Sequence, residues 1–177
     1  MNSAGILADA FERIHEAVHA AVEGLPPEDL NARLDDDANS IAWLVWHLTR
    51  VQDDHVADAA ATEQIWFAKD WASRFELPLD AGSTGYGHSS AQVGSVKVAS
   101  GDLLLGYFDA VNEQTLEFVR GLDGRALDGV VDDAWSPPVT LGVRLVSVIA
   151  DDLQHAGQAA FVRGALERRT ASDPARA

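Results

Sequence analysis

The stretch SIAWLVWHLTRVQDDHVADA, residues 40–59, limits the possible folds most. Asn39 or Ser40 caps it as a helix. Near its start it is apolar over most of its circumference, through Ile41, Ala42, Trp43, Leu44, Val45, Trp46 and Leu48. A helix apolar nearly all round must be covered on several sides, so this one belongs at the centre of other helices. His47 lies between Trp43, Leu44 and Val51 on one face. A lone His there reads as a hydrogen-bonded core residue. His55 is turned about 80° from His47 and lies about 12 Å further along the axis, so the pair shares no ion without a kink. It reads as a residue near a site mouth or exposed.

A second stretch, VIADDLQHAGQAAFVRG over residues 148–164, reads as part of the last long helix. Asp151 and His155 are four apart, about 40° from one another on the same face. Val148, Ala159 and Val162 share that face. An acid and an imidazole turned into an apolar interface need a partner. Two readings are open: a shared metal ion, or an Asp–His hydrogen bond. Asp152 is the rival carboxylate, three before His155 and about 60° to the other side.

The other elements follow from periodicity. Ala4 to Glu23 is a first helix, with Leu7, Phe11, Ile14 and Val18 at helical spacing, ended by Gly24 and Pro26-Pro27. His15 and His19 are also four apart, a spacing that could hold a metal, but neighbouring charges and the nearby terminus favour a solvated face. Thr62 to Arg74 reads as a short helix with Ile65, Trp66, Phe67 and Trp71 on its apolar side. Leu77 to Ser90, LPLDAGSTGYGHSS, is a loop by its Gly, Ser, Pro and Asp content. Long ordered loops are often functional, and Tyr86 and His88 are its residues able to do chemistry; a surface loop with incidental polar groups is the other reading. Ala91 to Leu122 reads as one long third helix, 123–138 as a connection, and Thr140 as the cap of a fourth helix running to about Arg169. The sequence contains no convincing strand pair.

Composition narrows function. The chain has 177 residues, enough for one domain over 1–170 with a polar tail over 171–177. With no cysteine, any metal site must use His and carboxylates, and no protein thiol can be a nucleophile. The formal net charge of −15 argues against nucleic acid or an anionic membrane as partner. No apolar run approaches the roughly 18 residues of a membrane span. The N-terminus alternates charged and apolar residues, unlike a signal peptide, and the expected location is cytoplasmic.

Connections too long for a simple up-down arrangement make the expected architecture all-α, a four-helix bundle with at least one crossover. In such bundles facing helices build metal sites. His47, Asp151 and His155 would supply two imidazoles and one carboxylate, leaving coordination positions open as in catalytic sites.

WLVWHLTRVQDDH, the TGYGH loop, PPVTLGVRLVSV and DDLQHAGQAAFVRG together resemble the DinB-like superfamily. The resemblance is closest to its actinobacterial branch of mycothiol-dependent transferases and maleylpyruvate isomerase-like enzymes. It covers nearly the whole chain, and the last segment is its most specific part. It implies a four-helix bundle with a divalent metal, zinc first and nickel second, held by His47, Asp151 and His155. Relatives carry His-x-x-x-His or Glu-x-x-x-His on the last helix, so the shorter Asp151 departs from both patterns. The implied activity is transfer of a low-molecular-weight thiol, mycothiol or a similar one, to an electrophilic small molecule. His88 or Tyr86 would then deliver a proton from the loop. A non-catalytic bundle and a metal-assisted hydrolase stay open beside it, as does a homodimer.

Overall fold

The computed structural model describes residues 2–171. Most of the tail read as polar and frayed therefore lies outside the described residues. Helix α1 (Ser3–Val22) starts where the Asn2 side chain accepts from the Gly5 amide. One face of it, Phe11, Ile14, Val18 and Ala21, is fully buried. A single turn, α2 (Pro27–Leu30), plugs Leu30 into the core. Helix α3 (Ile41–Ala60) begins at Ser40, whose hydroxyl accepts from the Trp43 amide. Every residue from Ile41 to Arg50 is buried, as an all-round apolar helix requires.

The region read as one short helix is two separate turns, α4 (Ile65–Ala68) and α5 (Trp71–Phe75). Asp70 sits between them in the left-handed region with φ 58°. The buried Asp53 carboxylate accepts from the Ile65 and Trp66 amides and so fixes the start of α4.

The expected third helix over 91–122 is also broken. Its first part is α6 (Ser90–Ser95), opened by a reciprocal cap between Ser89 and Gln92, and its second is α7 (Gly101–Arg120). Between them the chain is non-helical, with Val96 extended and both Val96 and Val98 buried. Asn31 satisfies that non-helical backbone, donating to the Val98 carbonyl at 2.8 Å and accepting from the Val98 amide at 2.9 Å. A side chain 67 residues away thus replaces helical hydrogen bonds, which no local periodicity can signal.

A 3₁₀ turn (Ala126–Asp128) leads into a small antiparallel pair, β1 (Val130–Asp132) with β2 (Val139–Thr140), Val130 facing Thr140 and Asp132 facing Val139. This corrects the expectation of no strand pair: runs of three and two residues are too short for alternation to register. Helix α8 (Leu141–Ala171) completes the chain and is about 46 Å long at 1.5 Å per residue.

The four long helices form an all-α bundle in which α1 and α3 each pack against both α7 and α8. The first two long helices in the chain are therefore diagonal neighbours, and the connection between them crosses the bundle end. His47 faces His155 while His55 meets Arg144, so α3 and α8 run antiparallel. Among the described residues no helix is long and apolar enough to cross a membrane.

Candidate functional site

The α3–α8 interface brings His47, Asp151 and His155 together. Each offers one ligand atom, and these atoms lie within 4.8 Å of one another. The His47 and His155 rings meet edge to face at 4.8 Å between centroids. Trp43 stacks on His47 at 4.6 Å and stands edge-on to His155 at 6.1 Å, walling one side of the cluster with an indole.

Both imidazoles are oriented by oxygen acceptors. His47 Nδ1 lies 2.6 Å from the Thr84 carbonyl oxygen. A carbonyl only accepts, so Nδ1 carries the proton and Nε2 keeps its lone pair. His155 Nδ1 faces Gln158 Oε1 at 3.4 Å, which selects the same tautomer more weakly. Orientation of one ring nitrogen by an outer acceptor is the usual support of a metal-binding imidazole.

The carboxylate bears on both readings left open by the sequence. Asp151 Oδ1 stands 3.5 Å from His155 Nε2, long for a hydrogen bond, and Asp151 Oδ2 is buried with no partner. A simple Asp–His pair leaves that oxygen desolvated and unsatisfied, whereas a cation between the three side chains would satisfy it. The residues present therefore fit a divalent transition ion. Asp152 is turned away from the cluster, fully buried, with both carboxylate oxygens unpartnered.

Electrostatics follow from these contacts. Burial holds the His47 pKa below its ordinary value, against the opposing Thr84 hydrogen bond. The Asp151 carboxylate raises that of His155 against its burial. Burial opposes ionisation of Asp151, but His155, His47 and His55 together outweigh it and lower its pKa. Burial, reinforced by the charge of Asp151, raises the Asp152 pKa well above the usual range.

The two loop residues stand in different surroundings. Tyr86 is 91% exposed and, among the described residues, makes no hydrogen bond to the cluster. His88 is close by but engaged at both nitrogens. The Trp43 indole N–H donates to its Nδ1 at 3.2 Å, so Nε2 carries the proton and donates to Ser83 Oγ at 2.8 Å. Burial lowers its pKa. Both ring nitrogens of His88 are thus partnered, which ties the loop to α3. His55 is half-buried beside Arg144, which donates to His55 Nδ1 at 3.2 Å and binds Asp132 at 2.9 Å.

Sequence reasoning missed the supports. Gly85 has φ 92°, and a Cβ on it would lie 2.6 Å from His47 Nδ1. Only glycine allows the loop to pass this close to the imidazole. Arg50, one turn after His47, is fully buried and donates from Nε to the Ser83 carbonyl at 3.2 Å. Consecutive carbonyls of the loop are thus held by Arg50 and His47. Arg50 Nη1 also reaches Gln64 at 2.9 Å, and the buried Tyr107 hydroxyl donates to Asp53 at 2.8 Å. The available signal was an arginine inside the apolar run WLVWHLTR.

A sequence model described as mycothiol-S-transferase matches residues 6–168. The chain belongs to the mycothiol-S-transferase family. A solved structure titled as a conserved protein of Enterococcus faecalis is similar in fold. Its TM-score is 0.86 at 28% sequence identity, over 92% of this chain and 96% of that one. No curated protein matches the chain. Membership in the mycothiol-S-transferase family and this bundle agree with the DinB-like resemblance. The family's name points to thiol transfer as the general activity.

Proposed function

We propose that the protein is a metal-dependent S-transferase that joins mycothiol, or a similar small thiol, to an electrophilic small molecule. The observation that carries this reading is the convergence of His47, Asp151 and His155, with Asp151 Oδ2 buried and unpartnered, in a chain of the mycothiol-S-transferase family. These three side chains would hold a divalent ion, zinc as the first candidate and nickel as the second. When bound, the metal supplies Lewis acidity that keeps a thiol sulfur as thiolate at neutral pH.

The chain's own residues set the conditions. Thr84 and Gln158 present the two imidazole Nε2 atoms, and the low pKa of His47 keeps that ring neutral at physiological pH. Trp43 covers one flank and excludes water from it. On the other side of Gln158, a groove of about 450 Å³ is lined by Leu34, Ala38, Leu44, Phe161 and Val162. Its size and apolar walls suit the hydrophobic part of an electrophile. Because the thiol is a co-substrate, the lack of cysteine is no obstacle. His88 enters this reading as a positioning residue that ties the loop to Trp43 and Ser83.

The test is metal content together with turnover of mycothiol and a chromogenic haloarene. The wild-type protein should purify with, or take up, zinc or nickel at this cluster and form the thioether, the haloarene losing halide and the thiol losing its proton to solvent. His47→Ala should lose both. Full turnover in the chelated wild-type protein, or in His47→Ala, would overturn the proposal.

A further inference from the structure

At the α1–α7 corner, diagonal to the cluster on α3 and α8, a second set of side chains converges. His15 and His19 are one turn apart on α1, with ring centroids 4.3 Å from each other. Asp109 on α7 reaches both: its Oδ1 is 3.0 Å from His15 Nε2 and 2.7 Å from His19 Nε2. One ligand atom from each lies within 4.8 Å of the other two. The sequence left a metal pair or a solvated face open here, and it could not show Asp109, which comes from a helix 90 residues away.

Three features distinguish this group from an ordinary surface ion pair. First, a single carboxylate oxygen stands at hydrogen-bond distance from two imidazole nitrogens, so it already gathers both rings. Two ligands about 2.0–2.1 Å from a tetrahedral zinc lie about 3.3 Å apart, so opening these contacts by a few tenths of an ångström would admit the ion. Second, the rings are already oriented. Glu23 Oε1 sits 2.7 Å from His19 Nδ1 and turns its Nε2 toward Asp109, the outer carboxylate that metal-binding imidazoles usually have. His15 is stacked on the fully buried Phe108 at 5.9 Å, which fixes its plane. Third, the side chains are 38%, 22% and 45% exposed in the order His15, His19, Asp109, so an ion can enter and keep water on its open positions. Exposed pairs of this kind contribute little to stability by themselves.

We propose that His15, His19 and Asp109 form a second divalent-cation site, selective for zinc or nickel over magnesium and calcium. Two imidazoles and one carboxylate set that preference, since hard cations favour all-oxygen sites. The site shares no residue with the α3–α8 cluster and clamps α1 to α7 when loaded. It is a separate binding function, independent of whether the first cluster catalyses thiol transfer.

The experiment strips the full-length protein with a chelator and titrates it with zinc alone and with nickel alone, reading stoichiometry by calorimetry and metal analysis. Wild type should bind two equivalents. The variant His47→Ala/His155→Ala, which removes the first cluster, should still bind one, and zinc should raise its melting temperature. Adding Asp109→Asn to that variant should weaken the remaining affinity at least tenfold while the circular dichroism spectrum stays unchanged. Asp109 is half-exposed and Asn has the same shape, so folding is preserved. Adding His15→Gln is the second check and should act in the same direction. No binding by His47→Ala/His155→Ala, or affinity there that Asp109→Asn and His15→Gln both leave unchanged, would overturn the second site.

Discussion

His47 Nδ1 lies 2.6 Å from the Thr84 carbonyl oxygen, and the neighbouring Gly85 leaves no room for a Cβ beside the same ring. The loop over 77–89 therefore does for His47 what an outer-shell acceptor does for a metal-binding imidazole: it fixes the tautomer and the ring plane. Ser83, bound by Arg50 and by His88, anchors the same segment one residue earlier.

Gly85→Ala should be costly for two reasons that act at once. The new methyl would collide with His47, and φ 92° is a conformation that alanine adopts only under strain. The expected loss is about 1–3 kcal/mol of stability, with weaker zinc binding at the α3–α8 cluster. Denaturant unfolding and zinc titration of the variant measure the two effects separately. Wild-type values in both would show that the loop does not position His47.

Metal affinity at that cluster should fall on acidification, with an order set by the environments. The pKa of His155 is raised by Asp151 and that of His47 is lowered by burial. His155 therefore takes up its proton first as pH falls, above the ordinary imidazole value of about 6.5. His47 competes only at lower pH. A zinc titration from pH 8 to pH 5 should lose affinity from the alkaline side of that value onward, and His155→Ala should abolish this first step. Affinity independent of pH would contradict the ligand set.

Asp152→Asn should change how stability depends on pH in the chelated protein. The folded pKa of Asp152 is raised. Below about 3.9, the ordinary value, the acid is neutral in both folded and unfolded chains. Above it only the unfolded chain ionises, so the wild type loses stability as pH rises until the folded acid ionises too. Asn cannot ionise and escapes this loss. The difference in melting temperature, variant minus wild type, should grow from pH 4 toward pH 7. A difference that stays flat or shrinks would show that the buried acid is not held neutral.

His88→Ala removes hydrogen bonds to Trp43 and Ser83, each worth about 1 kcal/mol. It should lower the melting temperature and, by loosening the loop, zinc affinity and turnover together. Tyr86→Phe should leave turnover unchanged, because Tyr86 is 91% exposed. If His88→Ala lowers turnover while melting temperature and zinc affinity stay at wild-type values, His88 is a proton-transfer group after all.

The sequence by itself determined what is local. Apolar spacing marked all four long helices, and the all-round apolar start of α3 placed it centrally. A four-residue spacing put Asp151 and His155 on one face of α8. Periodicity describes which side chains share a face of one helix, but not which face of which helix comes opposite. Tertiary packing decided the rest. It turned Asp151, not Asp152, toward His47, because adjacent residues on a helix differ by about 100° and only the position of α3 favours one of them. Asn31 broke the expected third helix at Val98, and Asp109 joined His15 to His19, each through contacts across many tens of residues. Thr84 and Gly85 came to rest on His47 because buried Arg50 and loop glycine geometry allow that approach, and neither is written in the spacing of any single helix.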